Sequence, residues 1–134
     1  MTNSWGKMSR FTELLGIEVE ESGLGYAILT CAWKPEFAND SNVTHGGVIA
    51  TIMDTACGVA LVSDENGKRA SRVVTVSFSL SYIAPFREGD RVRCTARLAG
   101  GGRKLKTVKV ELESAVTSDL IASGFGTFRQ IANR

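Results

Sequence analysis

Residues 45–62 read HGGVIATIMDTACGVALV, and the reading of that stretch decides the fold. From Gly46 to Val62 the chain is apolar or small, with a single charge, Asp54, in the middle. The run is just short of a bilayer span, contains glycine and is interrupted by a carboxylate, so it reads as a buried helix. An ionised carboxylate on such a helix is costly unless a partner satisfies it or a reaction uses it.

At about 100° per residue, Asp54 shares a stripe with Gly47, Ala50, Thr51, Cys57, Gly58 and Leu61, most of them small. The opposite side carries Val48, Ile49, Ile52, Met53, Val59 and Ala60, which suits packing on a sheet. Two readings of Asp54 stand. It is a structural charge satisfied by backbone donors in an interface, or it is a general base or nucleophile held in a groove of small residues. Glu65, past the helix, and Asp40, in the loop before it, lack this setting.

His45-Gly46-Gly47 opens the helix, where the first amides are unpaired and carry the positive end of the dipole. Gly46 and Gly47 place no side chain in the way of an oxygen, so their amides suit a developing oxyanion of the kind acyl transfer creates. The plainer reading is a tight turn. His45, the sole histidine, suits an orienting or capping role. Gly46 and Asp54 stand eight residues apart, about 12 Å along one helix, too far to serve one carbonyl carbon. If both are catalytic, an antiparallel helix from a second copy must bring Asp54 of one chain beside Gly46 of the other, in a twofold dimer with composite sites.

Outward from the helix, Ser9–Leu15 reads as a short helix with Ser9 as N-cap and Gly16 as stop. Strands are expected at about 17–22 and 25–34, around the turn Ser22-Gly23-Leu24-Gly25, followed by the turn-rich segment 34–44. After the Asp64–Gly67 turn, residues 72–85 alternate. Val74, Val76, Phe78, Leu80 and Tyr82 fall on one face and Thr75, Ser77, Ser79 and Ser81 on the other. Residues 91–98 alternate again, Val92, Cys94, Ala96 and Leu98 opposite Arg91, Arg93, Thr95 and Arg97; the arginines read as an exposed face that blunts edge pairing. Two more strands follow at about 105–116 and 120–131. The order α-β-β-α-β-β-β-β, with hairpin-length links after the long helix, predicts an α+β fold: an antiparallel sheet wrapped around one central helix at about 46–62.

The 134 residues read as one domain, 1–134, with 43% hydrophobic content and a net charge of +2. That balance gives no long-range attraction to nucleic acid. Cys31, Cys57 and Cys94 are odd in number and lie in apolar patterns, which points to reduced core thiols and a cytoplasmic protein. One histidine and no Cys/His cluster predict no metal. The N-terminal MTNSWGKMSRFTELLG is too polar for a signal peptide, and no membrane association is expected.

With these residues in hand, the sequence resembles the hotdog-fold acyl-CoA thioesterases, in particular the phenylacetate-catabolism (PaaI-like) group, from about residue 11 to 130. The resemblance lies in Asn39 six residues before His45-Gly46-Gly47, Asp54 nine after His45, and Ser81-Tyr82-Ile83-Ala84-Pro85 followed by Gly89-Asp90. It implies hydrolysis of an acyl-CoA thioester to free acid and CoA, with an aromatic or short- to medium-chain acyl group and no cofactor. It implies that Asp54 is general base or nucleophile and that the Gly46 amide polarises the carbonyl. Asn39 and His45 would shape the site, and the Thr75 hydroxyl, threonine where relatives carry serine, would orient water. Gly47, Ser77 and Tyr82 would line the substrate. Arg103 and Lys104, and by position Arg129, would meet the CoA phosphates, if they are not simply a solvated basic edge. A homodimer, in some relatives paired again into a tetramer, would carry the sites at its interface. The alternatives are a non-catalytic acyl-CoA-binding hotdog module and, ranked below it, an acyl-thioester dehydratase or hydratase.

Overall fold

The computed structural model describes residues 8–131, so the first seven residues of the N-terminal stretch read as too polar for a signal peptide lie outside it. The elements are α1 (Arg10–Leu15), β1 (Glu18–Gly23), β2 (Tyr26–Ala32), a 3-10 turn (Pro35–Phe37), α2 (Gly46–Val62), β3 (Arg72–Tyr82), β4 (Arg91–Gly101), β5 (Leu105–Ser114) and β6 (Leu120–Ile131). The six strands form one sheet, order β1-β2-β4-β5-β6-β3, with every neighbouring pair antiparallel. The sheet wraps α2, which touches all six strands. This is the hotdog arrangement that the resemblance implies.

α1 is short because its caps close it. The Ser9 hydroxyl accepts from the Thr12 amide at 3.2 Å, and Gly16, at φ 77°, ends the helix in the left-handed region. α2 is held by burial instead. Ile52, Met53, Ala56, Cys57 and Ala60 are fully buried against Leu29, Cys94, Val108, Val110, Leu112 and Phe128. Each large apolar side chain so enclosed contributes roughly 1.5–3 kcal/mol.

Four expectations need correction. The link after β3 is not a hairpin: β3 pairs with β6, and the chain crosses over to place β4 between β2 and β5. Arg91, Arg93 and Arg97 therefore do not guard an edge. Arg91 and Arg93 reach across the exposed face to Glu18 at 3.7 Å and Glu20 at 3.1 Å. On α2, Cys57 and Leu61 belong to the buried side and Val48 is only partly covered. The open stripe is Gly47, Ala50, Thr51, Asp54, Thr55 and Gly58, ending where the sheet closes over the helix.

The fourth correction lies in β3. Thr75 pairs with Phe128 and Ser77 with Thr127, so Val76 is an extra residue, a β-bulge. One inserted residue exchanges the faces on either side of it. Val73 and Thr75 therefore turn toward α2 together with Phe78, Leu80 and Tyr82, and the single alternating pattern expected for 74–82 breaks at Val76.

Candidate active site

The helix entry is fixed by a chain of buried hydrogen bonds. Trp33 Nε1 donates to Thr44 Oγ1 at 3.0 Å, and the Thr44 hydroxyl in turn donates to the Phe86 carbonyl. The His45 amide donates to the Phe37 carbonyl at 2.8 Å. Phe37 and Phe86 are buried, their rings 6.3 Å apart, and they anchor this corner. His45 is the N-cap: its Nδ1 accepts from the Gly47 amide at 3.0 Å, which leaves Nε2 to carry the ring proton. The Gly47 amide is thereby occupied. The Gly46 N–H, the first of the helix, meets no acceptor among the described residues.

Asn39 shapes the loop. Its Oδ1 accepts from the amides of Ser41 at 2.9 Å and Val43 at 3.2 Å, which leaves the Nδ2 end as donor. Tyr82 donates from its hydroxyl to the Gly46 carbonyl at 3.0 Å, and a side chain added at Gly46 would press its ring at 3.3 Å. Tyr82 thus stands directly over the helix start.

Asp54 is half-buried on the open stripe, and its Oδ1 accepts from Thr75 Oγ1 at 2.8 Å. The bulge at Val76 is what turns Thr75 inward to make this bond. Thr51 and Thr55 use their hydroxyls on the carbonyls of Gly47 and Thr51, at 2.8 and 2.7 Å, and so are tied to the helix itself. The buried Cys57 thiol is pushed well up, by burial first and then by the Asp54 carboxylate. It is no nucleophile at neutral pH.

Two grooves meet at the Asp54–Thr75 pair. One, about 520 Å³, runs between α2 and β3 past Ala50, Thr51, Phe78, Leu80 and Tyr82. The other, about 280 Å³, runs the opposite way past Gly58 and Val73 toward α1. β3 therefore lies alongside α2 in the reverse direction, Tyr82 at Gly46 and Thr75 at Asp54.

The remaining predicted residues lie apart from the pair. Ser77, past the bulge, is exposed and lines neither groove. Arg103 and Lys104 are exposed at the β4–β5 turn, whose first strand residues pair with β6 next to β3. The register Thr75–Phe128–Lys106 puts Lys106, two residues past Lys104, about two strand spacings, roughly 10 Å, from Thr75, with the turn beyond it. Arg129 sits between Leu105 and Val74, one residue beyond the inward-facing Phe128, and so on the outer face. Trp33 and Thr44, whose bonds hold the helix entry, are not among the residues that the sequence pattern points to. A tryptophan next to a turn-rich segment was the available signal.

Residues 41–119 match the family model described as thioesterase superfamily. Among curated proteins, the medium/long-chain acyl-CoA thioesterase YigI of Salmonella typhimurium is 31% identical over 78% of this chain and 75% of its own. Among solved structures, a conserved protein from Pseudomonas aeruginosa is 31% identical, with a TM-score of 0.83 over 92% of this chain and 95% of the other. A phenylacetic acid degradation protein PaaI from Thermus thermophilus, solved as a mutant, is 25% identical, with a TM-score of 0.80 over 92% of this chain and 100% of the other.

Proposed function

The chain belongs to the thioesterase superfamily, and we propose that it hydrolyses acyl-CoA thioesters at sites shared between two copies of itself. The observation that carries the proposal is the pairing of Asp54 with Thr75 on one strand edge, about 12 Å from an unpaired Gly46 amide. Thr75 holds one carboxylate oxygen, and the other accepts a proton from water as that water attacks the thioester carbon. The carbonyl oxygen becomes an oxyanion facing the Gly46 amide at the positive end of α2. The C–S bond then breaks, and CoA leaves with the proton that Asp54 took. The His45 cap precedes that amide, and Asn39, whose Nδ2 is left as donor in the loop before the helix, helps hold the carbonyl or the water.

A second copy reconciles the distance. The midpoint between Gly46 and Asp54 on α2 is Ala50, and the midpoint between Thr75 and Tyr82 on β3 falls at Phe78–Ser79. Ala50 and Phe78 line the same groove. A twofold axis beside it exchanges both pairs of ends at once, placing Asp54 of each chain near Gly46 of the other. Arg103 and Lys104 suit the phosphates of CoA by charge and position.

Asp54→Asn should leave folding and assembly intact and lower thiol release from acyl-CoA by roughly 10²- to 10⁴-fold. Unchanged turnover would remove Asp54 from the chemistry, and tight binding without turnover in the wild type would identify a binding module. Purified heterodimers of Asp54→Asn chains with Gly46→Leu chains should regain about half of the wild-type rate, through one intact composite site. No recovery would place the whole site within one chain.

A further inference from the structure

Glycine inside a helix or strand usually answers to a neighbour. A Cβ at Gly124 would stand 2.1 Å from the Ser79 carbonyl oxygen, and one at Gly126 would stand 2.5 Å from the Phe128 ring. Those two glycines are required by packing. Gly58 is different: a Cβ there would meet only Val73 Cγ2, at 3.9 Å, an ordinary contact. Alanine therefore fits, yet α2 carries glycine in its interior, at a cost of about 0.5–1 kcal/mol.

What a side chain at Gly58 would enter is the groove of about 280 Å³ that begins at the Asp54–Thr75 pair. Its walls include Val59, Val62, Val73 and Phe128, with Met8 and Thr12 across from them. The hydroxyls there are already used. Ser9 and Thr12 bond each other in the α1 cap, and Thr55 bonds the Thr51 carbonyl. Arg69, an exposed side chain, also lines the groove; beside Val59, Val62, Val73 and Phe128 the wall is apolar, which suits a hydrocarbon chain and not the amide-bearing arm of CoA. It follows successive helix turns at 54, 58 and 62, a span of about 12 Å, so it is long rather than broad.

We infer that Gly58 is the position that sets acyl-chain length: its missing side chain leaves the groove open past the first helix turn, and the preferred acyl group is linear and long enough to pass it. The inference rests on the thioesterase reading of Asp54. Acyl groups that end within about 6 Å of Asp54 do not reach Gly58, whereas longer ones must pass it.

The test is a series, wild type, Gly58→Ala and Gly58→Leu, on acetyl-, hexanoyl- and decanoyl-CoA, with mass in solution checked for each. The ratio of kcat/KM for decanoyl- over acetyl-CoA should fall by roughly tenfold or more in Gly58→Leu, and by less in Gly58→Ala. Gly58→Ala should also melt about 2–6 °C higher, because alanine fits and favours the helix. An unchanged ratio in an intact dimer overturns the inference. So does dissociation of Gly58→Leu, which would assign the glycine to helix pairing. Calorimetric titration of decanoyl-CoA into Asp54→Asn with and without Gly58→Leu separates the two claims. At least a tenfold weaker binding supports the groove even if no variant turns over, and equal binding sinks it.

Discussion

The two edges of the sheet are built in opposite ways. β1 is six residues long, is bent by a bulge between Val19 and Glu21, and presents Glu18 and Glu20 in ion pairs to Arg91 and Arg93. Its Ser22 hydroxyl is tied to the Gly67 carbonyl at 3.1 Å. Shortness, charge and a bulge are the means by which edges avoid adding strands. β3 is eleven residues long and carries no charge after Arg72, yet leaves Val74 and Val76 48% and 56% exposed. Half-exposed valines on a long edge strand, paired with β6 on one side only, ask for a partner, and this strand also holds Thr75 against Asp54. The proposed function makes assembly and chemistry converge on the open edge.

The largest expected effect comes from closing that edge. Lysines at Val74 and Val76 should give a monomer by light scattering, and turnover should drop by about 10²- to 10³-fold, the cost of losing an oxyanion donor. The matching charge change on the other edge, Glu20→Lys, should leave mass and turnover unaltered and change stability by no more than about 1 kcal/mol. A dimer that survives the lysines, or one lost in Glu20→Lys, would break the contrast between the edges.

A smaller effect separates the two duties of β3. Thr75→Ala removes the hydroxyl from Asp54 and nothing from the outer edge, so the dimer should persist while kcat falls roughly tenfold. Thr75→Ser should restore the rate. A monomeric Thr75→Ala would mean that the bulge, and not the hydroxyl, is what this residue maintains.

Much of this was legible in the sequence. The span of α2 and the spacing of His45, Gly46 and Asp54 needed only an apolar run and one charge, because local composition fixes a buried helix. Strand positions fell within a few residues for the same reason. Strand order did not follow, since pairing β3 with β6 depends on contacts about fifty residues apart that no local pattern encodes. The face of Thr75 was also hidden. Alternation runs unbroken through Val76, which groups Thr75 with Ser77, Ser79 and Ser81; a bulge is set by the partner strand, and only the pairing of Thr75 with Phe128 separates it from those serines. Gly58 was visible as a small residue, but only the open space beside it distinguishes it from the glycines that packing requires.

The smallest effect probes how dry the closed edge is. Cys31, on β2 beside β1, is fully buried and donates to the Leu15 carbonyl at 3.2 Å. Burial pushes its thiol from 9.0 up to about 11, against the pull of Lys34 and Arg91. A raised folded-state value means that the native chain keeps a proton which the unfolded chain has already lost. The stability tied to that proton is therefore complete below about pH 9 and is lost as pH rises toward 11, with a slope of at most about 1.4 kcal/mol per pH unit. Cys57 and Cys94, also raised by burial, act in the same direction. Urea midpoints taken near pH 8 and pH 10.5 should thus fall more steeply for the wild type than for Cys31→Ala, by about 2 kcal/mol across the interval. Equal slopes would mean that water reaches Cys31, and the β1 edge would then be no more closed than β3.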